Sequence, residues 1–562
     1  MDNLRLILFF TLAFLGLMLY QAWQQDYGPH AQQQSAAQQT QPGASSQPAI
    51  PAAGESGVPN ANVTAETPSA TNPAPTGGSA TGESADKGQT VHVETDLLKL
   101  DISTKGGTVT GAYLRDYPVS LEKPDQKVEL LFTNYPHLYI AQSGLIGSKE
   151  EPLPSHDGIY HAEKLNYKLA PGADVLDIPL VWKGDNGVTV TKHLTLTRDS
   201  YLIKVSYQID NQSGKPLAVR DYGQLQRTEP ENKGSRMGTH AYVGGVYYNP
   251  TSKYEKVSFK DMAKQQLSVD ANTGWLAMIQ HYFLSAWIPP KDQVDHYYTN
   301  ALPGGRYLIG SYSPVITIAP GSEKELSREL FIGPKLQNRL EKVAQGLDLT
   351  VDYGWLTVIA KPIYWLLETI HGIVGNWGWS IIILTLLIKG AFYKLSETSY
   401  KSMAKMRKFT PRMQALKDRY GDDKQRLQQA MMDLYKKEKV NPLGGCLPIV
   451  VQIPVFIALY WVLLETVEMR QAPWILWIHS LSEKDPYFIL PVIMGISMFI
   501  QQKLNPAPPD PMQAKIMMSL PFVFTVFFAF FPAGLVIYWV VNNLVSILQQ
   551  WYITRKIEKA SG

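Results

Sequence analysis

Apolar and polar side chains alternate along much of residues 91–334. The clearest runs are VTVTKHLTLT at 188–197 and YLIKVSYQID at 201–210, and turn-forming residues such as DNQSG at 210–214 separate such runs. A period of two is typical of strands that bury one face. We therefore predict that residues 91–345 form a large antiparallel β-sandwich domain whose polar faces are in water.

A second pattern consists of continuous apolar runs, which are typical of membrane-spanning helices. The first run lies at 4–20, and the QAWQQ sequence that follows is a poor signal-peptidase site, which favours an uncleaved anchor over a signal peptide. The Pro-Ala-Gly sequence at 532–534 divides the last long run into two. The pattern predicts six transmembrane helices, at 1–24, 377–395, 446–466, 487–502, 516–532 and 533–553.

The remaining segments are polar or amphipathic. Residues 25–90 are rich in Ala, Gln, Ser, Thr, Pro and Gly, and such a segment cannot bury enough apolar surface to fold, so we predict a disordered linker. Residues 346–376 mix tryptophans with charged residues, which favours an amphipathic helix along the membrane surface. The alternative is an extended start to the second span.

The charges of the loops predict the orientation in the membrane. Residues 396–445 carry 12 Lys and Arg against 6 Asp and Glu, whereas residues 467–486 carry 2 against 3. By the positive-inside rule, 396–445, the short loop 503–515 and the tail 554–562 are cytoplasmic. Six spans then place the N-terminus in the cytoplasm, and the β-domain and loop 467–486 in the periplasm. This predicts a multi-pass protein of a bacterial inner membrane.

The cytoplasmic segment 396–445 is rich in strong helix-forming residues. We predict a helical hairpin with helices at 397–420 and 422–439, a kink or restart at Pro411, and Asp422 as the cap of the second helix. Methionine surfaces accept varied apolar partners, so the hairpin is a candidate docking surface for a ribosome or a targeting factor. Alternatively, the methionines fill the seam of a solvated coiled coil. The candidate docking residues are Met403, Met406, Arg407, Met413 and Met431.

The apolar run at 377–393 of the second predicted span carries one charge, Lys389. A lysine at the middle of a span costs about 2.5–3.5 kcal/mol, so Lys389 calls for a water-filled cavity or a partner. Thr385 lies one helical turn before Lys389, and Gln452 is a polar group in the third span. Trp539, Asn543, Ser546 and Gln550 form one polar stripe along the last span. We predict a hydrated groove around Lys389; the alternative is that Lys389 snorkels to the inner interface.

Composition and motifs exclude several classes of protein. The 52 Lys and Arg nearly balance the 49 Asp and Glu, which argues against a specific nucleic-acid binder. The single cysteine, Cys446, allows no disulfide framework and no cysteine-based zinc site. The sequence has no P-loop, no H-E-x-x-H and no G-x-S-x-G motif. We therefore expect no enzymatic activity, no cofactor and no metal.

Several separate motifs resemble the YidC/Oxa/Alb family of membrane protein insertases. They are NPLGGCLP at 441–448 with QIPVF at 452–456, MAKMR at 403–407, GDDKQR at 421–426 and FPAGLVIYW at 531–539. The resemblance runs from about residue 349 to the C-terminus. The domain between the first two spans looks like the periplasmic β-supersandwich of the Gram-negative branch of the family.

The resemblance implies a membrane protein insertase and chaperone that acts alone or with the Sec translocon (SecYEG and SecDF). Its other implied partners are nascent inner-membrane proteins, the ribosome, the lipid bilayer and possible contacts with the signal recognition particle or its receptor. By matching position, Lys389 is the cationic residue of the family's groove, where arginine is usual, and Thr385, Gln452 and Trp539 line that groove. We add Asn543 from the polar stripe.

The mechanism that this implies needs no covalent chemistry. Lys389 attracts the polar tail of a substrate into the groove, and the apolar segment then leaves toward lipid past Phe456, Phe527 and Phe528. Three alternatives stay open: a solute channel or transporter, an accessory chaperone without insertion activity, and a carbohydrate-active β-sandwich enzyme.

Overall fold

The computed structural model describes residues 57–59, 88–134, 136–148, 151–230, 241–291, 293–421, 423–437, 447–505 and 511–561. The predicted N-terminal anchor lies outside the described residues, and so does the predicted linker apart from 57–59 and 88–90. The chain divides into two compact units. A β-domain contains residues 51–354 with Glu465–Glu468, and a helical unit contains Trp355–Leu464 with Met469–Gly562.

The β-domain is built from strands with alternating burial. Along Val188–Thr197 every second side chain is buried, as the period of two predicted. The strands, in chain order, are β1 Thr90–Glu94, β2 Leu98–Ser103, β3 Thr108–Ser120, β4 Lys123–Leu131, β5 Tyr139–Ile146, β6 His161–Ala162, β7 Asn166–Lys168, β8 Val175–Lys183, β9 Val188–Thr197, β10 Leu202–Asn211, β11 Leu217–Thr228, β12 Gly244–Asn249, β13 Lys253–Val257, β14 Ser268–Asn272, β15 Trp275–Ile279, β16 Phe283–Ile288, β17 Val294–Leu302, β18 Arg306–Tyr312, β19 Ile316–Ile318 and β20 Ser322–Pro334.

These strands form two sheets, which confirms the β-rich domain that the sequence predicted. The 11-stranded sheet has the order β14-β17-β18-β11-β5-β3-β2-β1-β7, with β19 paired to β11 and β4 paired to β3. The 9-stranded sheet has the order β13-β12-β15-β16-β20-β10-β9-β8-β6. The pairing of β1 with β7 is parallel, whereas β10 pairs with β9 and β20 in antiparallel register. Two short helices, α1 Phe259–Lys264 and α2 Gln337–Val343, also belong to the domain.

Buried charges connect the two sheets. Arg328 of β20 pairs with Asp221 of β11 at 2.6 Å and with Asp295 of β17 at 3.6 Å. Lys192 of β9 is fully buried, and its Nζ donates hydrogen bonds to the carbonyl oxygens of Gly106 and Gly107 at 2.7 and 3.0 Å. A third donation reaches the Ser143 hydroxyl of β5 at 2.9 Å. Since an unpaired buried charge is strongly destabilising, these contacts fix how the sheets face each other.

The helical unit follows the β-domain in the chain. Its helices are α3 Thr357–Val374, α4 Trp377–Ala391, α5 Tyr393–Tyr420, α6 Lys424–Lys437, α7 Leu447–Glu465, α8 Ile489–Leu504, α9 Pro511–Phe528 and α10 Ala533–Ser561. Helix α5 continues through Pro411 without a break. Asp423 accepts hydrogen bonds from the backbone N–H groups of Gln425 and Arg426 and so caps the start of α6, whereas the predicted cap, Asp422, lies outside the described residues.

One helix among the described residues is long and apolar enough to cross a membrane by itself, the part of α10 over Ala533–Ile557. A second crossing is obtained if α4 and the start of α5, which meet at 65°, are counted as one bent span. Shorter apolar helices cover Val451–Glu465, Ile489–Leu504 and Ala514–Phe528. The helical character of the C-terminal region is therefore confirmed, while the count of six spans stays a prediction.

The loop between α7 and α8 packs on the N-terminal ends of α4 and α10. The Asn376 side chain caps α4 through the N–H of Trp379 at 3.2 Å and donates to the carbonyl oxygen of Pro473 at 3.3 Å. The N–H of Gly534, at the start of α10, donates to the carbonyl oxygen of Leu481 at 2.9 Å. Within the loop, buried Asp485 accepts from the Leu490 N–H at 2.7 Å and so caps α8. These bonds satisfy helix-end donors at one end of the bundle.

A pH-dependent stability is expected from Lys192, because burial lowers the pKa of its ammonium group to about 7. Below pH 7 the lysine is protonated in both states and adds no pH dependence. Above pH 7 and up to the ordinary lysine pKa near 10.4, the unfolded chain holds a proton that the folded chain has lost, so the free energy of unfolding rises by up to ~1.4 kcal/mol per pH unit.

The measurement compares the full chain with Lys192→Met between pH 6 and 10. The thermal midpoint of the β-sheet circular dichroism signal in detergent should rise with pH more steeply in the unaltered protein. Identical pH profiles would show that Lys192 stays protonated on folding.

Trp474 gives a second prediction, because a Cβ built on Gly378 of α4 would overlap the Trp474 ring. Gly378→Ala should lower the free energy of unfolding of the helical unit by about 1–3 kcal/mol, the usual cost of overpacking. Gly372 of α3 has open space around its Cβ position, so Gly372→Ala is the matched control and should be neutral or slightly stabilising. Equal thermal midpoints of the two variants in detergent would contradict this packing.

Candidate functional site

Lys389 is the centre of the candidate site. It lies near the C-terminal end of α4 and is only 6% exposed. Its Nζ donates a hydrogen bond to the Ser546 hydroxyl of α10 at 2.8 Å, and the Gln452 Oε1 of α7 lies 3.4 Å away. Both acceptors are neutral. The buried ammonium group is therefore stabilised by two neutral side-chain acceptors, one on each of two other helices.

The acceptors of Lys389 belong to a larger polar cluster. Gln452 Nε2 donates to Asn542 Oδ1, and the Ser546 hydroxyl donates to the Asn542 carbonyl oxygen at 2.7 Å. The Tyr400 side chain of α5 lies beside Ser546. We call Lys389, Tyr400, Gln452, Asn542 and Ser546 the polar cluster. Each bond to the charged amine contributes about 1.5–3 kcal/mol, so these bonds tie α4, α7 and α10 together.

Thr385 lies one turn before Lys389 and is buried, but its hydroxyl is not bonded to the lysine. Its Oγ1 donates to the carbonyl oxygen of Ile381 in the same helix at 2.7 Å. Such a bond satisfies a hydroxyl locally in an apolar environment. In this structure the Thr385 hydroxyl therefore finds its acceptor within α4 rather than in the polar cluster.

An aromatic cluster lies next to the polar cluster. The rings of Phe456 in α7 and Phe528 in α9 lie 5.0 and 5.5 Å from the ring of Trp539 in α10. Phe527 contacts Phe528 at 5.5 Å and is 43% exposed. The indole Nε1 of Trp539 is buried and has no hydrogen-bond partner among the described residues. The structure thus brings the predicted apolar contacts together with Trp539, and Tyr538, which stacks on Phe456 at 5.9 Å, lies between the two clusters.

The polar stripe of α10 faces two neighbours. Ser546 bonds Lys389 of α4, whereas Asn543 Nδ2 donates to the Ser497 hydroxyl of α8 at 3.0 Å. Gln550 Nε2 also turns to α8 and donates to the Leu504 carbonyl oxygen at 3.1 Å. The structure therefore places Asn543 in the contact between α8 and α10, apart from the bonds of Lys389.

The hairpin residues lie on α5 and α6. Met413 is buried, while Met403, Met406 and Met431 are partly buried. The side chain of Arg407 lies outside the described residues. Met432 is 49% exposed, which makes it the methionine of this segment most open to a partner among those described.

Sequence reasoning missed Tyr400 and Tyr538. Tyr400 falls in the polar segment assigned to the cytoplasmic hairpin, and only the bend of 65° between α4 and the start of α5 brings it to Ser546. Tyr538 precedes Trp539, and an aromatic pair in an apolar run is typical of a membrane interface, so the sequence pattern assigned Tyr538 no polar role. The i, i+4 spacing of Tyr538, Asn542 and Ser546 was the available signal, since it places all three on one face of α10.

The bond between Lys389 and Ser546 gives a stability prediction. Ser546→Ala removes the shorter acceptor of the amine and should lower the free energy of unfolding of the helical unit by about 1–3 kcal/mol. Ser519→Ala is the matched control, because the Ser519 hydroxyl bonds only the Ile516 carbonyl oxygen of its own helix and is exposed. The thermal midpoints of both variants in lipid nanodiscs test this, and equal midpoints would contradict it.

Comparisons with known proteins agree on one family. Residues 90–366 match the family model described as the YidC periplasmic domain, and residues 369–560 match the family model described as 60Kd inner membrane protein. Proteins named membrane protein insertase YidC from Methylococcus capsulatus and Thioalkalivibrio sulfidiphilus are 52% and 51% identical over 560 and 569 aligned positions. Both alignments cover 100% of this chain and 99% of the relative.

Solved structures are more distant. One titled as an active YidC insertase with its first transmembrane domain aligns with 83% of this chain and 95% of its own, at 18% identity and a TM-score of 0.37. A galactose mutarotase related enzyme from Lactobacillus acidophilus covers 43% of this chain and 97% of its own, at 11% identity and a TM-score of 0.32. Scores this low carry no argument about function.

Proposed function

This chain belongs to the YidC family and is a membrane protein insertase, and we propose that it inserts inner-membrane proteins through a groove formed around Lys389. The single observation that carries the proposal is the buried ammonium group, whose acceptors among the described residues are neutral side chains on α7 and α10. A substrate carboxylate can replace Ser546 and Gln452 and form a stronger charge-assisted bond. If Lys389 were instead paired with a buried carboxylate of this chain, the substrate would have to break that ion pair first, at a cost of several kcal/mol.

We propose six membrane spans: the predicted anchor 1–24, then α4, α7, α8, α9 and the start of α10. Exposed apolar side chains on α8 and α9 support contact with lipid. On α8, Val492, Ile496 and Ile500 are exposed at a spacing of four residues, which places them on one face of the helix. Helix α8, with 16 residues, is about 24 Å long, and the hydrocarbon core is ~30 Å thick. A span this short favours local thinning of the bilayer, which lowers the barrier for a polar segment.

The orientation follows from the positive-inside rule. It places α5 and α6 with both termini in the cytoplasm, and the β-domain and the loop between α7 and α8 in the periplasm. Helix α3 would then lie at the outer surface. It buries Ala360 and Leu367 while it exposes Val358, Trp365 and Ile373, so it offers a second apolar face to lipid.

In the proposed mechanism, the polar cluster and the aromatic cluster bind different parts of the substrate. The polar cluster receives the hydrophilic tail of the substrate, and its neutral acceptors take over Lys389 again when the tail leaves. The aromatic cluster offers the apolar segment a contact surface at Phe456, Phe527 and Phe528, on the side of α7 and α9. Transfer of ~20 apolar residues into lipid contributes roughly 6–12 kcal/mol, so insertion needs neither nucleotide nor covalent chemistry.

The cytoplasmic hairpin is proposed as the docking surface for the ribosome or a targeting factor. Its lysines and arginines suit an anionic partner, and Met432 and the partly buried methionines suit an apolar one. Larger substrates would be received from the Sec translocon, with this chain acting beside it.

Reconstitution of the purified full chain in liposomes without nucleotide tests the proposal. A single-span protein with a short acidic translocated tail should become protected from protease. Lys389→Ala should lower the protected fraction about tenfold, whereas Lys389→Arg keeps the charge and should retain at least half of it. Lys342→Ala, which removes an exposed lysine of α2 in the β-domain, is the control and should not change the protected fraction.

Two outcomes would contradict parts of this proposal. Equal protection by Lys389→Ala would remove the role of the groove charge. Protection that needs the Sec translocon even with the unaltered chain would leave an accessory chaperone rather than an autonomous insertase.

A further inference from the structure

One part of the outer face of the 11-stranded sheet, on β11 and β18, is buried, although it points away from the other sheet. Strand residues alternate between faces, and Leu225 of β11 belongs to the core between the sheets. Gln224 and Gln226 therefore lie on the outer face, as does Leu308, which is directly opposite Gln226 in β18. Gln224 and Leu308 have no exposed surface at all. Something must cover this face of the sheet.

The polar side chains at this part of the face are neutral and hydrogen-bond one another. Gln224 Nε2 donates to Gln142 Oε1 of β5 at 2.9 Å, and the Tyr298 hydroxyl of β17 donates to Gln224 Oε1 at 2.7 Å. Gly310 of β18 makes the second bond possible, because a Cβ at this position would lie 2.6 Å from the Tyr298 hydroxyl oxygen. The amide of Gln224 is thus fixed, with Leu302 and Leu308 beside it.

Residues 57–59 of the predicted linker lie on this surface. Gly57 and Pro59 are buried and Val58 is partly buried. A Cβ built on Gly57 would lie 3.4 Å from both Leu302 Cδ1 and Leu308 Cδ2, and 3.7 Å from Gln224 Nε2. Gly57 also has a φ of 76°, in the left-handed region that favours glycine. This position therefore needs glycine for its backbone and tolerates no branched side chain.

We propose that Leu302, Leu308 and the fixed Gln224 form a peptide-binding groove on the β-domain, and that Gly57-Val58-Pro59 of this chain's own linker is its occupant. The groove, defined by these three residues, offers two leucines and a neutral amide, which suits an uncharged segment with a glycine at the point of closest approach. Pro59 restricts the unbound segment and so lowers the entropy lost on docking.

Docking in cis needs little intrinsic affinity. The linker joins the β-domain directly at β1, so the segment is held near the groove at an effective concentration in the millimolar range. The docked residues divide the linker near its middle. Docking would shorten the connection between the predicted anchor and the β-domain to the residues before 57, and so the reach of the domain from the membrane.

Cleavage by a glutamate-specific protease tests the docking in the full chain in detergent. Glu55 is followed by Ser56 and the docked residues, whereas Glu83 lies in the same linker without such a neighbour. Cleavage after Glu55 should be at least tenfold slower than after Glu83. Gly57→Val should abolish this difference, and Gly77→Val, a change at another linker glycine, should leave it intact.

Two controls separate docking from protease preference. Synthetic peptides of residues 51–62 with glycine or valine at position 57 should be cleaved at equal rates. Leu302→Ala, at the edge of the groove, should raise the rate at Glu55 and leave the rate at Glu83 unchanged. Equal cleavage after Glu55 and Glu83 in the unaltered chain would overturn the proposal, as would a Leu302→Ala variant in which the protection at Glu55 persists.

Discussion

The helical unit depends on how a buried ammonium group is satisfied without a counter-charge. A lysine inside an apolar bundle must find acceptors, and Lys389 finds them on α7 and α10. This requirement draws α4, α7 and α10 to one point and determines which faces of these helices meet. The aromatic packing of Phe456, Phe528 and Trp539 then fills the adjacent space. Polar and apolar contacts are thereby separated, as the proposed groove for an amphiphilic substrate requires.

The β-domain solves the same problem in a different way. Its buried Arg328 has two carboxylates, and its buried Lys192 is surrounded by backbone carbonyls and the Ser143 hydroxyl. These contacts make both side chains structural, because removing one partner leaves a buried polar group without its hydrogen bond. The two buried lysines therefore differ in the kind of acceptor that they have. Lys192 has several acceptors from rigid backbone, whereas Lys389 depends on two side chains that can rotate away.

The sequence predicts the parts of this protein that follow from local pattern. Alternation along Val188–Thr197 indicated half-buried strands, and the charge within an apolar run identified Lys389. The hydrogen-bond partners of these groups depend on tertiary geometry, so local sequence pattern could not predict them. Tyr400 joins the polar cluster only because α4 and α5 meet at an angle, and Asn543 faces α8 rather than Lys389 because α10 packs against two helices. The order of the strands, and the placement of Gly57 on the 11-stranded sheet, likewise arise from contacts between residues far apart in sequence.

The geometry also bears on which kind of cation fits this position. Ser546 and Gln452 lie on different helices, at 2.8 and 3.4 Å from one Nζ atom. A compact ammonium group with three rotatable donors fits two separate acceptors, whereas a planar guanidinium favours a single bidentate partner. Neither acceptor is bidentate or charged, so the contacts select a positive charge rather than the fork of an arginine. In the proposed mechanism, long-range attraction of an acidic tail needs only that charge, and a small head group on a flexible stem can follow the tail as the acceptors are exchanged.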